Sequence, residues 1–223
     1  MSLPFALAHL AARHDGPLQI VQVGAFDGTT NDPISDALER FDCRAVLVEP
    51  QPRPFERLTA LHRGNENVRL VNAAIDSRDG TRAMFTINPE GMPEWVGQLA
   101  SFDRTIVEAH QRFTPQLLRI NTTQVPTMTF DTLIADARLD RVDVLQIDAE
   151  GYDLELLKLF DVPRRSPHVV NWEHKHLSHA DRDAAIDLMV DCGFRVAVSD
   201  DVVGDSVAYR LPSSYVPTVD EHS

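Results

Sequence analysis

The chain has 223 residues, 43 % of them hydrophobic and 25 % charged, with a formal net charge of −13. That length suits one domain with a large core, and the acidity argues against nucleic acid or an anionic membrane as the main partner. No apolar run reaches the roughly 20 residues that span a bilayer, no Cys-x-x-Cys pair offers a zinc-thiolate site, and the separated Cys43 and Cys192 read as lone thiols of a reducing, cytoplasmic compartment.

Met1 to His14 reads as a helix packed on the domain, because it lacks a basic start and carries His9 within its apolar run. Leu18–Val23 is the first strand, ending at Gly24, and Ala25–Asp32 is a loop. Asp32-Pro33 starts a helix, with Asp as N-cap and Pro at the first helical position. Ile34, Ala37, Leu38 and Phe41 recur as its buried stripe. The second strand, Arg44–Val48, ends at Glu49-Pro50. A helix near Pro54–His62 turns Phe55, Leu58 and Leu61 inward, and Val68–Asn72 is the third strand. Thr81–Ile87 reads as an extra strand or hairpin arm.

Residues 88–125 break the rhythm. They are polar, contain Pro89, Pro93 and Pro115, and carry one helical stretch near Thr105–Gln111. Such a segment is expected to be a lid or substrate-binding insertion within a single domain of residues 1–223. Regularity returns with a helix over Thr129–Ala137, a fourth strand Val142–Ile147 ending at Asp148, and a helix over Gly151–Phe160. A fifth strand, His168–Trp172, ends at Glu173. Ser178 caps the next helix with Asp181 as its capping-box partner, and Ala185, Leu188, Met189 and Cys192 form the buried stripe. Phe194–Ser199 and Ser206–Leu211, flanking Asp200–Asp205, read as an antiparallel hairpin, and the tail after Pro212 is expected to fray. This alternation predicts a Rossmann-like, doubly wound α/β fold with a mostly parallel seven-stranded sheet.

Ligands of open α/β sheets bind beyond the carboxyl ends of the strands, at the switch point beside strand one. Gly24-Ala25-Phe26-Asp27-Gly28 is the tight turn there, and Glu49 follows about 25 residues on, where a carboxylate holds the ribose hydroxyls of an adenosine ligand. Charge separates the candidate cofactors. A dinucleotide brings an anionic pyrophosphate, which Asp27, Asp32 and Asp148 would repel. S-adenosylmethionine brings an ammonium and a sulfonium, which they would attract by about 4 kcal/mol per pair at ~4 Å and an effective dielectric of ~20, before desolvation.

Five segments carry a family resemblance: Val-Gly-Ala-Phe-Asp-Gly (Val23 to Gly28), Val-Glu-Pro-Gln-Pro (Val48 to Pro52), Val-Asn-Ala-Ala-Ile (Val71 to Ile75), Thr-Phe-Asp-Thr-Leu (Thr129 to Leu133) and Leu-Gln-Ile-Asp-Ala-Glu-Gly (Leu145 to Gly151). From about Leu18 to Trp172 the chain resembles the FkbM family of methyltransferases. The resemblance implies a class I methyltransferase fold and S-adenosylmethionine-dependent O-methylation of a sugar or natural-product hydroxyl. By the same resemblance, Gly24, Ala25, Asp27 and Gly28 cradle the amino-acid end of the cofactor and Glu49 with Pro50 binds its ribose. Gln51 and Phe55 lie near the adenine, Asn72 and Ala73 flank adenine or ribose, and Asp148 faces the methionine end or the chemistry. The chain departs from the family pattern at Phe26-Asp27, where a small or amide pair is usual, and at Gln146, where Lys is common.

Removing the proton of an alcohol acceptor calls for a general base or a metal ion. Asp148 ends strand four, and Glu173 and His174 end strand five. These three are the candidate catalytic residues and the candidate ligands of Mg²⁺, by analogy of position with catechol-type O-methyltransferases. His174 or His176 as a metal-free base, or a solvated strand exit, are the other readings of this segment. Glu150 reads as a helix cap or a support for Asp148, and His110 as a surface residue. Trp95 and Phe102 fit either an apolar substrate wall or the insertion's own core. The expected partner is a small-molecule substrate, with no nucleic acid or membrane, and a homo-oligomer is left open. An NAD-dependent oxidoreductase and a non-catalytic cofactor-binding protein are the rival functions.

Overall fold

A computed structural model describes residues 2–88, 90, 94–113, 119–199 and 204–210. The chain opens with α1 (Leu3–Ala11), whose buried Leu3, Ala6, Leu7 and Leu10 pack with Leu18 and Ile20 of β1 (Leu18–Val23). The next helix is shorter than its pattern suggests. Asp32 caps the turn ahead of it by accepting the Ile34 N–H at 2.8 Å, and α2 spans only Ser35–Arg40. Then come β2 (Cys43–Val48), α3 (Pro52–Leu61) and β3 (Val68–Val71). Leu58 of α3 is fully buried, but Leu61, expected to face inward, is 49 % exposed.

A second sheet begins with β4 (Ala74–Ile75) and β5 (Gly80–Ile87), continues through β6 (Ala100–Ser101) and α4 (Arg104–Ala109), and ends in β7 (Ile120–Met128). Its order is β4-β7-β5-β6. The nine-residue β7, hidden in the sequence by its polar composition, pairs antiparallel with β5 from Gly80↔Thr127 to Ile87↔Ile120. Its Asn121, Thr122 and Gln124 are exposed, and the alternation of its buried Val125 and Thr127 is short and interrupted by Pro126, so no apolar pattern announces it. Pro126 is tolerated because β4 pairs only with Thr127 and Met128, which leaves β7 an edge at that point. Ile87, Val96, Leu99 and Val107 form a small core of this layer.

The main sheet resumes with α5 (Phe130–Ala137), β8 (Val144–Ile147), α6 (Asp153–Phe160), α7 (Val162–Arg165) and β9 (Val169–Glu173), and closes with α8 (His179–Asp191), β10 (Arg195–Val198) and β11 (Asp205–Tyr209). The strand order is β10-β11-β9-β8-β1-β2-β3. β3, β2, β1, β8 and β9 pair in parallel, and β11 lies antiparallel between β9 and β10, which confirms the expected seven-stranded sheet with its hairpin. Buried on both faces, β1 and β8 alternate between two cores: Val21, Val23, Leu145 and Ile147 belong to one, and Leu18, Ile20 and Val144 to the other. Succession runs one way from β1 and the other way from β8, so the switch point lies between their carboxyl ends. Cys43 and Cys192 are free thiols, and no helix among the described residues is long and apolar enough to cross a membrane. The expected tail after Pro212 lies outside the described residues.

Candidate active site

A cavity of about 730 Å³ opens at this switch point. Gly24 takes φ +82°, a conformation glycine reaches without strain, and Phe26 follows in the left-handed region at φ 47°. This sharp turn aims the Phe26 N–H at Glu49 Oε2, 2.9 Å away, while the Gln51 N–H donates to Glu49 Oε1 at 2.7 Å. Glu49 is 3 % exposed and lines the cavity. Burial pushes its pKa up to about 7 against the pull of those two N–H groups. Asn72 supports the same corner by donating to the Glu49 carbonyl at 2.8 Å.

Deeper in, three buried amides cross three strands in register: Gln22 on β1 beside Gln146 on β8, and Gln146 beside Asn171 on β9. Asn171 donates to Gln146 Oε1 at 2.7 Å, and Gln22 donates to Asp32 Oδ1 at 2.9 Å. Gln22 Oε1 and Asp32 Oδ2 are buried without a hydrogen-bond partner, and both residues line the cavity. Two acceptor oxygens without partners in one cavity wall offer a place for the donors of a ligand.

The far end is acidic. Asp148 lines the cavity, with Glu150 and Glu173 largely buried beside it. One oxygen from each lies within 4.8 Å of the others. Burial and mutual repulsion hold the Asp148 and Glu173 carboxyls well above the ordinary carboxylate range, with Lys175 opposing the shift. The second sheet closes this end: Gln98, Leu99, Ala100, Ser101 and Phe102 line the cavity, with His110 and Phe113 behind α4. His110, read from sequence as a surface residue, is 5 % exposed, because the insertion folds back over the strand ends. Phe102 stands edge-on to Tyr152, with centroids 5.4 Å apart.

Of the residues singled out in sequence, Gly24, Ala25, Asp32, Glu49, Pro50, Gln51, Asp148 and Glu173 line the cavity. Others are held elsewhere. Asp27 accepts from the N–H and hydroxyl groups of Thr29 and Thr30 and meets Arg57 at 3.5 Å; burial raises its pKa, but these hydrogen bonds outweigh it and leave the carboxyl below its usual range. Gly28 packs on α3, where a Cβ would come within 2.8 Å of Leu58 and Leu61. Ala73 is buried behind Asn72. The ring of His174 is buried against the Ser206 hydroxyl of β11, with Nδ1 and Oγ 2.8 Å apart; among the described residues, ligand atoms converge in Asp148 with Glu150 and Glu173, and in His110 with Glu150 and His176. The side chain of Trp95 lies outside the described ones. Gln22, Ser101, Tyr152 and Lys175 are cavity residues that sequence reasoning missed: Gln22 lies within β1 rather than at its end, Tyr152 and Lys175 lie beyond the strand-end residues of β8 and β9, and Ser101 arrives on the second sheet.

Comparison with family models matches residues 22–196 to the methyltransferase FkbM domain. Comparison with curated proteins gives no match. Similar solved structures include the methyltransferase FkbM of Methylobacillus flagellatus KT, 13 % identical over 89 % of this chain and 44 % of that one, with a TM-score of 0.55. Also similar is the precorrin-6y C5,15-methyltransferase of Geobacter metallireducens GS-15, 15 % identical over 93 % and 87 % of the two chains, with a TM-score of 0.47. The fibrillarin of Aeropyrum pernix, solved with natively bound S-adenosyl-L-methionine, is 13 % identical over 92 % and 73 %, with a TM-score of 0.41. This chain spans 44 % of the length of the Methylobacillus protein, and identities this low speak for the fold alone. The fold is that of the class I methyltransferases, and the match over residues 22–196 establishes that the chain belongs to the FkbM methyltransferase family.

Proposed function

We propose that the chain transfers a methyl group from S-adenosylmethionine to a hydroxyl of a small molecule. The observation that carries this reading is the pair of orphaned acceptors, Asp32 Oδ2 and Gln22 Oε1, in the same cavity wall as Glu49. An ammonium supplies the donors those oxygens lack, and a pair of ribose hydroxyls suits the remaining lone pairs of the Glu49 carboxylate. A pyrophosphate would meet acceptors and acids instead. When bound, the cofactor supplies an electrophilic methyl group on a positively charged sulfur.

This chain's residues hold, orient and deprotonate. Gly24, Ala25 and Phe26 bring backbone close to the ligand, and Glu49 fixes its adenosine end. Asp148 is the proposed base: it lines the cavity, and burial, with the acids Glu150, Asp153 and Asp205 around it, raises its affinity for a proton. Phe102 and the second sheet exclude water from the acceptor end. A cavity of about 730 Å³ is of the size that takes small ligands, and the net charge of −13 opposes a nucleic-acid acceptor. The test is methyl transfer from labelled S-adenosylmethionine to a panel of sugars and polyketide alcohols, with RNA as control. Label in a small-molecule ether supports the proposal. Label in RNA, or in amine acceptors alone, contradicts it.

A further inference from the structure

We propose that His110, Glu150, Glu173 and His176 hold a divalent transition-metal ion that fastens the insertion to the carboxyl ends of β8 and β9. The residues come from three separate places: His110 follows α4, Glu150 follows β8, and Glu173 and His176 lie at and just beyond the end of β9. One ligand atom each of His110, Glu150 and His176 lies within 4.8 Å of the others. His176 Nε2 is 3.0 Å from Glu150 Oε2 and 3.6 Å from Glu173 Oε2. Ligands about 2.1 Å from a shared ion lie roughly 3–4 Å apart, so His110, Glu150 and His176 need only a small contraction, and Glu173 joins them through its approach to His176.

The donor chemistry is prepared for a cation. His110 Nδ1 lies 2.9 Å from the Ile106 carbonyl; donating there leaves the Nε2 lone pair for a metal, and burial lowers the pKa of the ring and favours its neutral form. A backbone carbonyl fixing the far nitrogen is the usual outer-shell device of a metal-binding histidine. Glu173 is 7 % exposed, and its Oε2 has no hydrogen-bond partner in the direction of the cluster. Glu150 Oε2 and His176 Nε2 likewise make no hydrogen bond of acceptable geometry. Asp148, Glu150 and Glu173 crowd negative charge onto the same spot, where Lys175 is an exposed cation. Two imidazole nitrogens with carboxylate oxygens suit Zn²⁺ or Mn²⁺ better than Mg²⁺, which prefers an all-oxygen octahedron. The ion would face the cavity on the Asp148 side, since His110, Glu150 and Glu173 all line it.

The inference stands apart from the methyl acceptor, and its test reads metal alone. Purified protein is stripped with a chelator, dialysed against Zn²⁺, Mn²⁺ or Mg²⁺, and its metal content measured. About one Zn²⁺ or Mn²⁺ per chain is expected, with no retained Mg²⁺. Co²⁺ in the same protein is expected to give a visible absorption band. Loss of an outer-shell partner alone weakens metal binding about 10–100-fold, so His110→Ala and His176→Ala are each expected to do no less. Thermal melting of the metal-free variants controls for folding. Metal content near zero after dialysis with all three ions, no cobalt band, or undiminished binding in the folded double variant overturns the proposal. Binding of S-adenosylhomocysteine by the stripped protein would leave the proposed function standing in each of those cases.

Discussion

A side chain added to Gly24 would place its Cβ 1.8 Å from the backbone carbonyl oxygen of Asp148. The two strands that flank the switch point meet here backbone to backbone, and the Asp148 N–H donates to the Val23 carbonyl at 2.9 Å. The glycine therefore holds the floor of the cavity together as well as turning the loop. Gly24→Ala combines a left-handed backbone with a clash that no rotamer relieves, so it should destabilise the protein by about 3 kcal/mol or more. Denaturant unfolding measures this directly, and binding of S-adenosylhomocysteine should be lost with it.

Glu49→Gln separates binding from folding. The substitution leaves one of the two backbone N–H groups without its acceptor, at a cost of about 1–3 kcal/mol. It also removes the charged acceptor for the ribose. Affinity for S-adenosylhomocysteine should fall about 10–100-fold by calorimetry.

The buried acids make stability depend on pH in an unusual direction. Burial raises Glu49 and Asp153 to about 7, well above the ordinary carboxylate range, and raises Asp148 and Glu173 as well. A raised carboxyl binds its proton more tightly when folded, so its contribution is complete below the unfolded pKa and is lost as pH climbs through the folded one. Glu49 alone accounts for as much as about 3 kcal/mol over that interval. The free protein should therefore melt at a lower temperature at pH 8 than at pH 5.5. S-adenosylhomocysteine should narrow that gap, because it binds the ionised Glu49. Asp27 and Asp76, held below their usual range by hydrogen bonds that outweigh burial, act oppositely and only in stronger acid.

Asp148→Asn keeps the shape of the acidic end and removes its base. Turnover on the acceptor alcohol should drop by about 10²–10⁴-fold, while the KM for S-adenosylmethionine changes far less. The rate with the unaltered enzyme should rise with pH as the carboxyl cluster ionises.

What could be read in the sequence was what is local. Gly24 and Glu49 announced themselves because each ends a buried β-run, and the topology of parallel sheets brings such ends to one place. The hairpin at β10 and β11 showed through two short apolar runs on either side of the acidic segment 200–205. Asp32 was legible as a cap, but its orphaned oxygen was not, since that depends on Gln22 reaching across from β1. Leu61 followed the helical period yet lies exposed, because α3 buries Pro54 and Leu58 and ends before Leu61 reaches the core. β7 escaped notice because an arm that packs on one face, with Thr and Asn on the other, carries no apolar run. The cluster of His110, Glu150 and His176 forms only when the second sheet crosses the strand ends, and no spacing in the chain encodes that crossing.

Calorimetric titration of S-adenosylhomocysteine and of NAD into separate samples of the protein addresses the sign of the charge at the switch point most directly. The arrangement of Asp32, Gln22 and Glu49 predicts saturable binding of S-adenosylhomocysteine at one site per chain and none of NAD. Binding of NAD that is displaced by a pyrophosphate analogue, with S-adenosylhomocysteine inert, would contradict it.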